Sequence, residues 1–214
     1  MRKKIIERPP SPRQRMINLM YIVLLAMLAM NISSDVLNGF TLVEESLSRS
    51  TSNATIQNEA VYKEFAASDS INHEKVGEWY NKALSVKSMS DSLYNFAGEL
   101  KELIAKEADG KKAEINNLQN KEDLEAATQV MLSPTKGRGQ DLYNAINSYR
   151  DRILEMIDNP VQRDIISNNF STDVPDKSGA LNKNWQEYNF ENMPAVAAIT
   201  LLTKLQNDIR YAEG

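Results

Sequence analysis

Long stretches of the chain carry apolar residues at helical spacing and are separated by short polar connections. The clearest stretch predicts a helix over about 74–106, with two heptad series formed by Trp79, Val86, Leu93 and Leu100 and by Val76, Ala83, Ala97 and Ile104. Such a stripe is typical of a helix that buries one face against neighbours. Ser90 interrupts the stripe, which favours a bundle helix over a strict two-stranded coiled coil.

Four further stretches show helical spacing. Steps of four and three from Leu142 to Met156 predict a helix that ends before Asn159-Pro160, and a last helix is expected to open at Asn192-Met193-Pro194. Residues 44–66 and 121–132 also have helical spacing, and residues 159–190 are the least regular. Because no strand alternation is sustained, we expect an all-α fold, an extended helical bundle.

A different pattern precedes the bundle. Residues 16–34 form an uncharged, largely apolar run of 19 residues that ends at Asp35. As a helix, the stretch from Met16 to Asp35 is about 28 Å long, close to the hydrocarbon thickness of a bilayer. We therefore divide the chain into a basic tail (1–15), a single transmembrane helix (16–38) and a helical bundle (39–214).

Charge is distributed unevenly about this run. The first 15 residues hold six basic side chains and one acidic one, about +5, so the rest of the chain carries about −9 of the formal net charge of −4. By the positive-inside rule, the N-terminus is predicted to be cytoplasmic and the bundle to lie outside. A cleaved signal peptide with residues 20–30 as its apolar region is the alternative, but the uncharged run is longer than such regions usually are.

Polar residues of the membrane segment share one helix face. Steps of three and four separate Tyr21, Leu24, Leu28, Asn31, Asp35, Asn38 and Leu42, the spacing of a coiled-coil seam. A carboxylate within a span is a functional candidate, whereas at the outer interface it would only end the span. If the seam joins two copies, their Asp35 carboxyl groups would lie close together and favour the binding of a proton.

Composition excludes several kinds of chemistry. The chain has no Cys and only His73, so a thiol nucleophile, a disulfide and a multi-His metal centre are excluded. The loop 133–139 lacks the G-K-[ST] ending of a phosphate loop. We expect no cofactor, no metal, no nucleic-acid partner and no covalent catalysis. His73 is expected at the surface or in a helix cap, Trp79 and Tyr80 in the core, and the Glu and Lys residues on solvated faces.

Two segments carry a specific resemblance. The runs SPRQRMINLMY (11–21) and AMLAMNISSDVL (26–37) resemble the N-terminus of the GldM/PorM family, most nearly its PorM branch, and NMPAVA (192–197) with LTKLQNDIR (202–210) resembles the end of its first periplasmic domain. That family supplies the single-span motor subunit of the type IX secretion and gliding apparatus.

The resemblance implies a homodimer whose membrane helices sit inside a ring of the multi-span partner GldL/PorL in the inner membrane. Proton flow would rotate the dimer and its periplasmic stalk, driving secretion and gliding. It also implies that Arg13 and Tyr21 meet the partner's helices, that a carboxylate stands at Asp35 with Asn31 nearby, and that β-sandwich domains follow residue 214. Relatives often have Lys-Glu at 34–35, so Asp35 reaches one methylene less.

Two other functions fit the same pattern. A membrane-tethered periplasmic sensor would bind a small ligand in the bundle and would need a second span after it. A secreted helical binding protein would have lost its N-terminal segment as a cleaved signal peptide.

Overall fold

The structure is a computed structural model that describes residues 11–29, 33–175 and 183–214, without the side chains of 26–29. Within these ranges there are eight α-helices, one 3₁₀ turn (Ile115–Asn117) and no strand. The all-α prediction is therefore confirmed. The helices are α1 (Pro12–Ala29), α2 (Ser34–Ile71), α3 (His73–Asp109), α4 (Glu125–Leu132), α5 (Gly139–Met156), α6 (Pro160–Asn169), α7 (Trp185–Phe190) and α8 (Ala195–Glu213).

The chain forms two compact units, Met1–Ser34 and Asp35–Gly214. In the described part of the first unit, α1 begins where the Ser11 hydroxyl accepts a hydrogen bond from the Gln14 N–H at 3.3 Å. Pro12 occupies the first helical position, where its missing N–H costs nothing. Among the described helices, none is both long and apolar enough to cross a membrane.

The second unit is built around α3 and α8. Ala97, Leu100 and Ile104 of α3 are fully buried, as is Ile209 of α8. On α5, four of the five side chains predicted to face the core do so, with Leu142, Ile146, Tyr149 and Ile153 at most 4% exposed, whereas Met156 is 41% exposed. The apolar stripes of α3, α5 and α8 therefore form one core.

Local chemistry sets several helix ends. The Asn72 and Asn159 side chains cap α3 and α6, and Asn184 with Glu187 forms a reciprocal capping box at α7. At the other end of α3, Gly110 adopts φ of 81°, a left-handed conformation that suits glycine. Its N–H donates to the Lys106 carbonyl at 2.9 Å, which satisfies one of the last carbonyls of the helix.

Three details differ from the sequence predictions. Residues 16–38 do not form one helix, because Ser33 is not helical and α2 begins at Ser34; serines before a helix favour such a start. Residues 159–190 contain two short helices, α6 and α7. The core assignment of Trp79 is wrong: its side chain is 60% exposed, with Lys82 Nζ 4.7 Å from the ring centroid.

Candidate functional site

The residues predicted to act in the membrane are divided between the two units. Arg13 and Tyr21 lie on α1, eight residues apart, and both are exposed. At 100° per residue they are about 80° apart around the helix. Asp35 belongs to the second unit, and Asn31 lies outside the described residues. The shared face of Tyr21, Asn31 and Asp35 therefore stays a prediction.

Helix α1 exposes apolar side chains around its whole circumference. From Met16 to Leu25, every large apolar residue is between 46% and 68% exposed. A helix that is apolar all round is normally covered by protein or by lipid. In the described part of its own unit, α1 is accordingly exposed from residue 11 to residue 25.

Asp35 occupies the first turn of α2, where its side chain is exposed. A carboxylate in this position is attracted to the positive end of the helix dipole, typically by about 0.3–1 kcal/mol. Asp35 is thus both the first residue of the bundle unit and part of the first turn of α2.

A buried cluster of four polar side chains joins α2, α3 and α8, and we call it the core polar cluster: Glu44, Lys101, Thr203 and Gln206. Each is at most 7% exposed. The Lys101 ammonium donates to Glu44 Oε1 at 3.2 Å and to Gln206 Oε1 at 3.4 Å, and Thr203 donates to the same Glu44 oxygen at 3.0 Å. One carboxylate thus binds donors from two other helices.

Electrostatics of the core polar cluster are set by burial. Loss of solvent lowers the pKa of Lys101 below its ordinary value, and the nearby Glu44 carboxylate opposes that change. The Gln206 amide also donates to the Tyr94 carbonyl at 3.0 Å, so the cluster is tied to the α3 backbone.

A second set of charged groups, the arginine cluster, lies toward the end of α8. The Arg210 guanidinium donates to Asp91 at 2.8 Å and to Glu213 at 2.6 Å, and it stacks 4.3 Å from the Tyr94 ring centroid. Burial and the Glu213 carboxylate raise the pKa of the Tyr62 phenol above its usual range. Within the described residues, Arg210 Nε is the one buried side-chain polar atom without a hydrogen-bond partner.

Sequence reasoning missed both clusters. The assignment of Glu and Lys side chains to solvated faces is wrong for Glu44 and Lys101. A signal was present: Lys101 lies four residues after Ala97 and three before Ile104, within the apolar stripe of α3. Glu44 lies seven residues after Leu37. A charged residue inside a heptad stripe indicates a buried ion pair when a second helix supplies the opposite charge.

The remaining residues singled out in the sequence lie outside these two clusters. In the parts of the chain that the structure describes, no group of three or more His, Asp or Glu side chains is arranged to hold a metal ion. His73 is exposed at the start of α3, and its Nδ1 lies 2.8 Å from an Asp69 oxygen. A groove of about 390 Å³ between α3 and α5 is lined by Ser88, Ser92, Tyr149, Arg152 and five other residues.

Comparison with known proteins gives one family. The model of the GldM N-terminal domain matches residues 35–214, which include all of α3–α8 and all but the first residue of α2. No curated protein matches the chain. The match identifies the family and does not distinguish its PorM branch from the other members. GldM proteins are components of the type IX secretion and gliding apparatus, anchored in the membrane with their bulk in the periplasm. The chain belongs to the GldM family, and residues 35–214 are its GldM N-terminal domain.

Proposed function

We propose that this protein is an inner-membrane motor subunit of the type IX secretion system. In this proposal, the segment of residues 16–38 crosses the membrane once, although its helix is interrupted at Ser33. Two copies associate inside a ring of the multi-span partner GldL/PorL. Proton flow through the complex moves the helical bundle as a periplasmic stalk, which drives secretion and gliding.

The observation that supports membrane anchoring best is the exposure of α1. A water-soluble protein rarely leaves a contiguous apolar patch of this size uncovered. Lipid or the helices of a membrane partner would remove the side chains from Met16 to Leu25 from water. Each large apolar side chain buried in this way contributes about 1.5–3 kcal/mol.

Charge supports the proposed orientation. Six basic residues precede the uncharged run, and Glu44 and Glu45 follow within ten residues of Asp35. Basic residues stay on the cytoplasmic side of a span. Arg13 is accordingly placed on the cytoplasmic side, where it would pair with acidic groups of the partner.

Asp35 is proposed as the proton-binding group. It is the first carboxylate after the uncharged run, so it lies closest to the membrane of all the acidic residues that follow. Moving one elementary charge through the membrane potential supplies about 2.3 kcal/mol per 100 mV. Tyr21 and Asn31 are proposed as polar partners on the same seam.

Cysteine labelling tests the topology, because the chain has no Cys of its own. We propose Ser11→Cys and Ser46→Cys in the full-length protein, each treated with a membrane-impermeant maleimide after the outer membrane has been permeabilised. Ser46→Cys should react while the inner membrane is intact, and Ser11→Cys only after the inner membrane is lysed.

Two outcomes would contradict this topology. Reaction of Ser11→Cys without lysis would place the N-terminus outside. Absence of residues 1–30 from the mature protein would show a cleaved signal peptide and favour the secreted binding protein.

A further inference from the structure

Helix α2 is held to the bundle by a polar face. Its buried residues lie seven apart: Leu37, Glu44, Thr51 and Asn58. Only these four of the 38 residues of α2 are buried, and three of the four are polar. Residues seven apart share one face of a helix, so this face is the one that meets the bundle.

Each polar residue on this face has a partner on α8. Glu44 accepts from Thr203, Thr51 Oγ1 lies 3.4 Å from Asn207 Oδ1, and Asn58 donates to the Arg210 carbonyl at 2.8 Å. We call these three contacts the polar seam. Thr200 Oγ1 lies 3.3 Å from the Phe40 carbonyl of α2. Thr51 and Thr200 each donate more closely to a carbonyl of their own helix, at 2.8 Å, so their contacts across the seam are the weaker ones.

The packing of α3 against α8 is of the opposite kind. Leu93, Leu100 and Ile104 of α3 are buried, and so are Ile199 and Leu202 of α8. None of these side chains needs α2 as a polar partner. The contact between α3 and α8 thus contains a continuous apolar core, to which Gln206 and Arg210 add hydrogen bonds. The contact of α2 with α8 is largely polar.

The α2–α8 contact and the α3–α8 contact differ in the free energy needed to expose them to water. A hydrogen bond opened to solvent is replaced by bonds to water, at a net cost of about 0.5–1.5 kcal/mol. Apolar surface costs about 25 cal/mol per Å² when exposed. Burial also lowers the pKa of Lys101, so keeping its ammonium ion in the cluster carries a desolvation cost. Separating α2 from α8 is thus less costly than separating α3 from α8.

We propose that α2 is a releasable arm: residues 37–58 undock from α3 and α8 along the polar seam while the bundle of α3–α8 stays folded. The turn at Asn72, between Ile71 and His73, acts as the hinge. Opening about this hinge also separates the Glu59–Lys87 ion pair and the Phe65–Tyr80 ring contact, which join the rest of α2 to α3. A force applied to α2 at its Asp35 end would break the contacts of the polar seam before those of the α3–α8 core. The inference goes beyond the proposed function and does not depend on it.

The first test compares two buried cysteines in the whole 214-residue chain in detergent micelles. Thr51→Cys lies on the polar seam and Ser90→Cys lies between α3 and α5; the native side chains are 3% and 0% exposed. If α2 undocks, a maleimide should modify Thr51→Cys at least tenfold faster than Ser90→Cys. Equal rates, or faster modification of Ser90→Cys, would overturn the proposal.

The second test strengthens the contact between α2 and the bundle by making it apolar. Glu44→Leu, Lys101→Met and Thr203→Val together replace a buried ion pair by apolar side chains of similar volume, an exchange that is often neutral or stabilising. Hydrogen exchange of residues 37–58 should slow at least tenfold, with exchange of 93–104 and 196–209 unchanged. Unchanged exchange of 37–58 in a folded variant, or exchange of α2 and α3 at one common rate in the native chain, would overturn it.

Discussion

Arg210 should be among the most sensitive positions of the bundle. Its side chain is 9% exposed, and that of its partner Glu213 is 1% exposed. The same Glu213 oxygen, Oε2, accepts from Arg210 at 2.6 Å and from Asn58 at 3.3 Å. Replacing Arg210 by Met keeps most of the apolar stem and removes the positive charge. A buried carboxylate is then left without a cation.

The structure sets the expected magnitude. Removing one partner of a buried ion pair costs about 3–5 kcal/mol, chiefly because the other charge stays buried. Lost stacking on Tyr94 adds about 0.5–2 kcal/mol. The bond to Asp91 adds little, because that side chain is 40% exposed and exposed pairs contribute about 0–1 kcal/mol. We expect the free energy of unfolding of Arg210→Met to fall by the sum of the first two contributions, about 3.5–7 kcal/mol.

Urea unfolding, followed by circular dichroism at 222 nm, measures this loss. Arg210→Met combined with Glu213→Gln should recover at least half of it, because no buried charge is then unpaired. Asp91→Asn is the matched control and should change the free energy of unfolding by less than 1 kcal/mol. A loss below 1 kcal/mol for Arg210→Met, or a double variant no more stable than the single one, would refute the reasoning.

Three further outcomes are expected. Burial raises the pKa of Tyr149 from 10.0 to about 12. The neutral phenol therefore contributes fully to stability below pH 10, and this contribution is lost as the pH rises toward 12. Tyr149→Phe should flatten the pH dependence of the free energy of unfolding between pH 10 and 12, and an unchanged slope would contradict this. Asn184→Ala removes the capping box of α7 and should cost about 1 kcal/mol in the same assay, whereas Asn184→Asp should keep most of it. If the membrane seam joins two copies, Leu28→Cys or Asp35→Cys should form a crosslinked dimer under oxidation, and failure at both positions would argue against the seam.

Apolar periodicity predicted the helices whose buried face is marked by a regular stripe of apolar residues. The stripes of α3, α5 and α8 were read from heptad spacing, and most of their core residues are buried as expected. Trp79 follows the same spacing but is 60% exposed, in the first part of α3. Spacing alone does not show where a neighbouring helix ends.

Apolar periodicity could not predict the two polar clusters. Lys101 is buried because Glu44 and Gln206 arrive from two other helices, 57 and 105 residues away in sequence. The helix start at Ser34 was missed for a different reason. The apolar pattern continues from Leu28 to Leu42, so periodicity favoured one helix over the serines that interrupt it.

The proton-binding role of Asp35 is the central claim of the account. Asp35→Asn in the full-length protein removes the ionisable group with almost no change in size, and Asp35→Glu keeps it. Glu45→Gln makes the same chemical change at an exposed carboxylate ten residues away and serves as the control.

Secretion of a type IX cargo protein by cells that carry each variant at the normal protein level is the decisive measurement. The account predicts that secretion stops with Asp35→Asn, is retained at least in part with Asp35→Glu, and is unchanged with Glu45→Gln. Normal secretion with Asp35→Asn would contradict it.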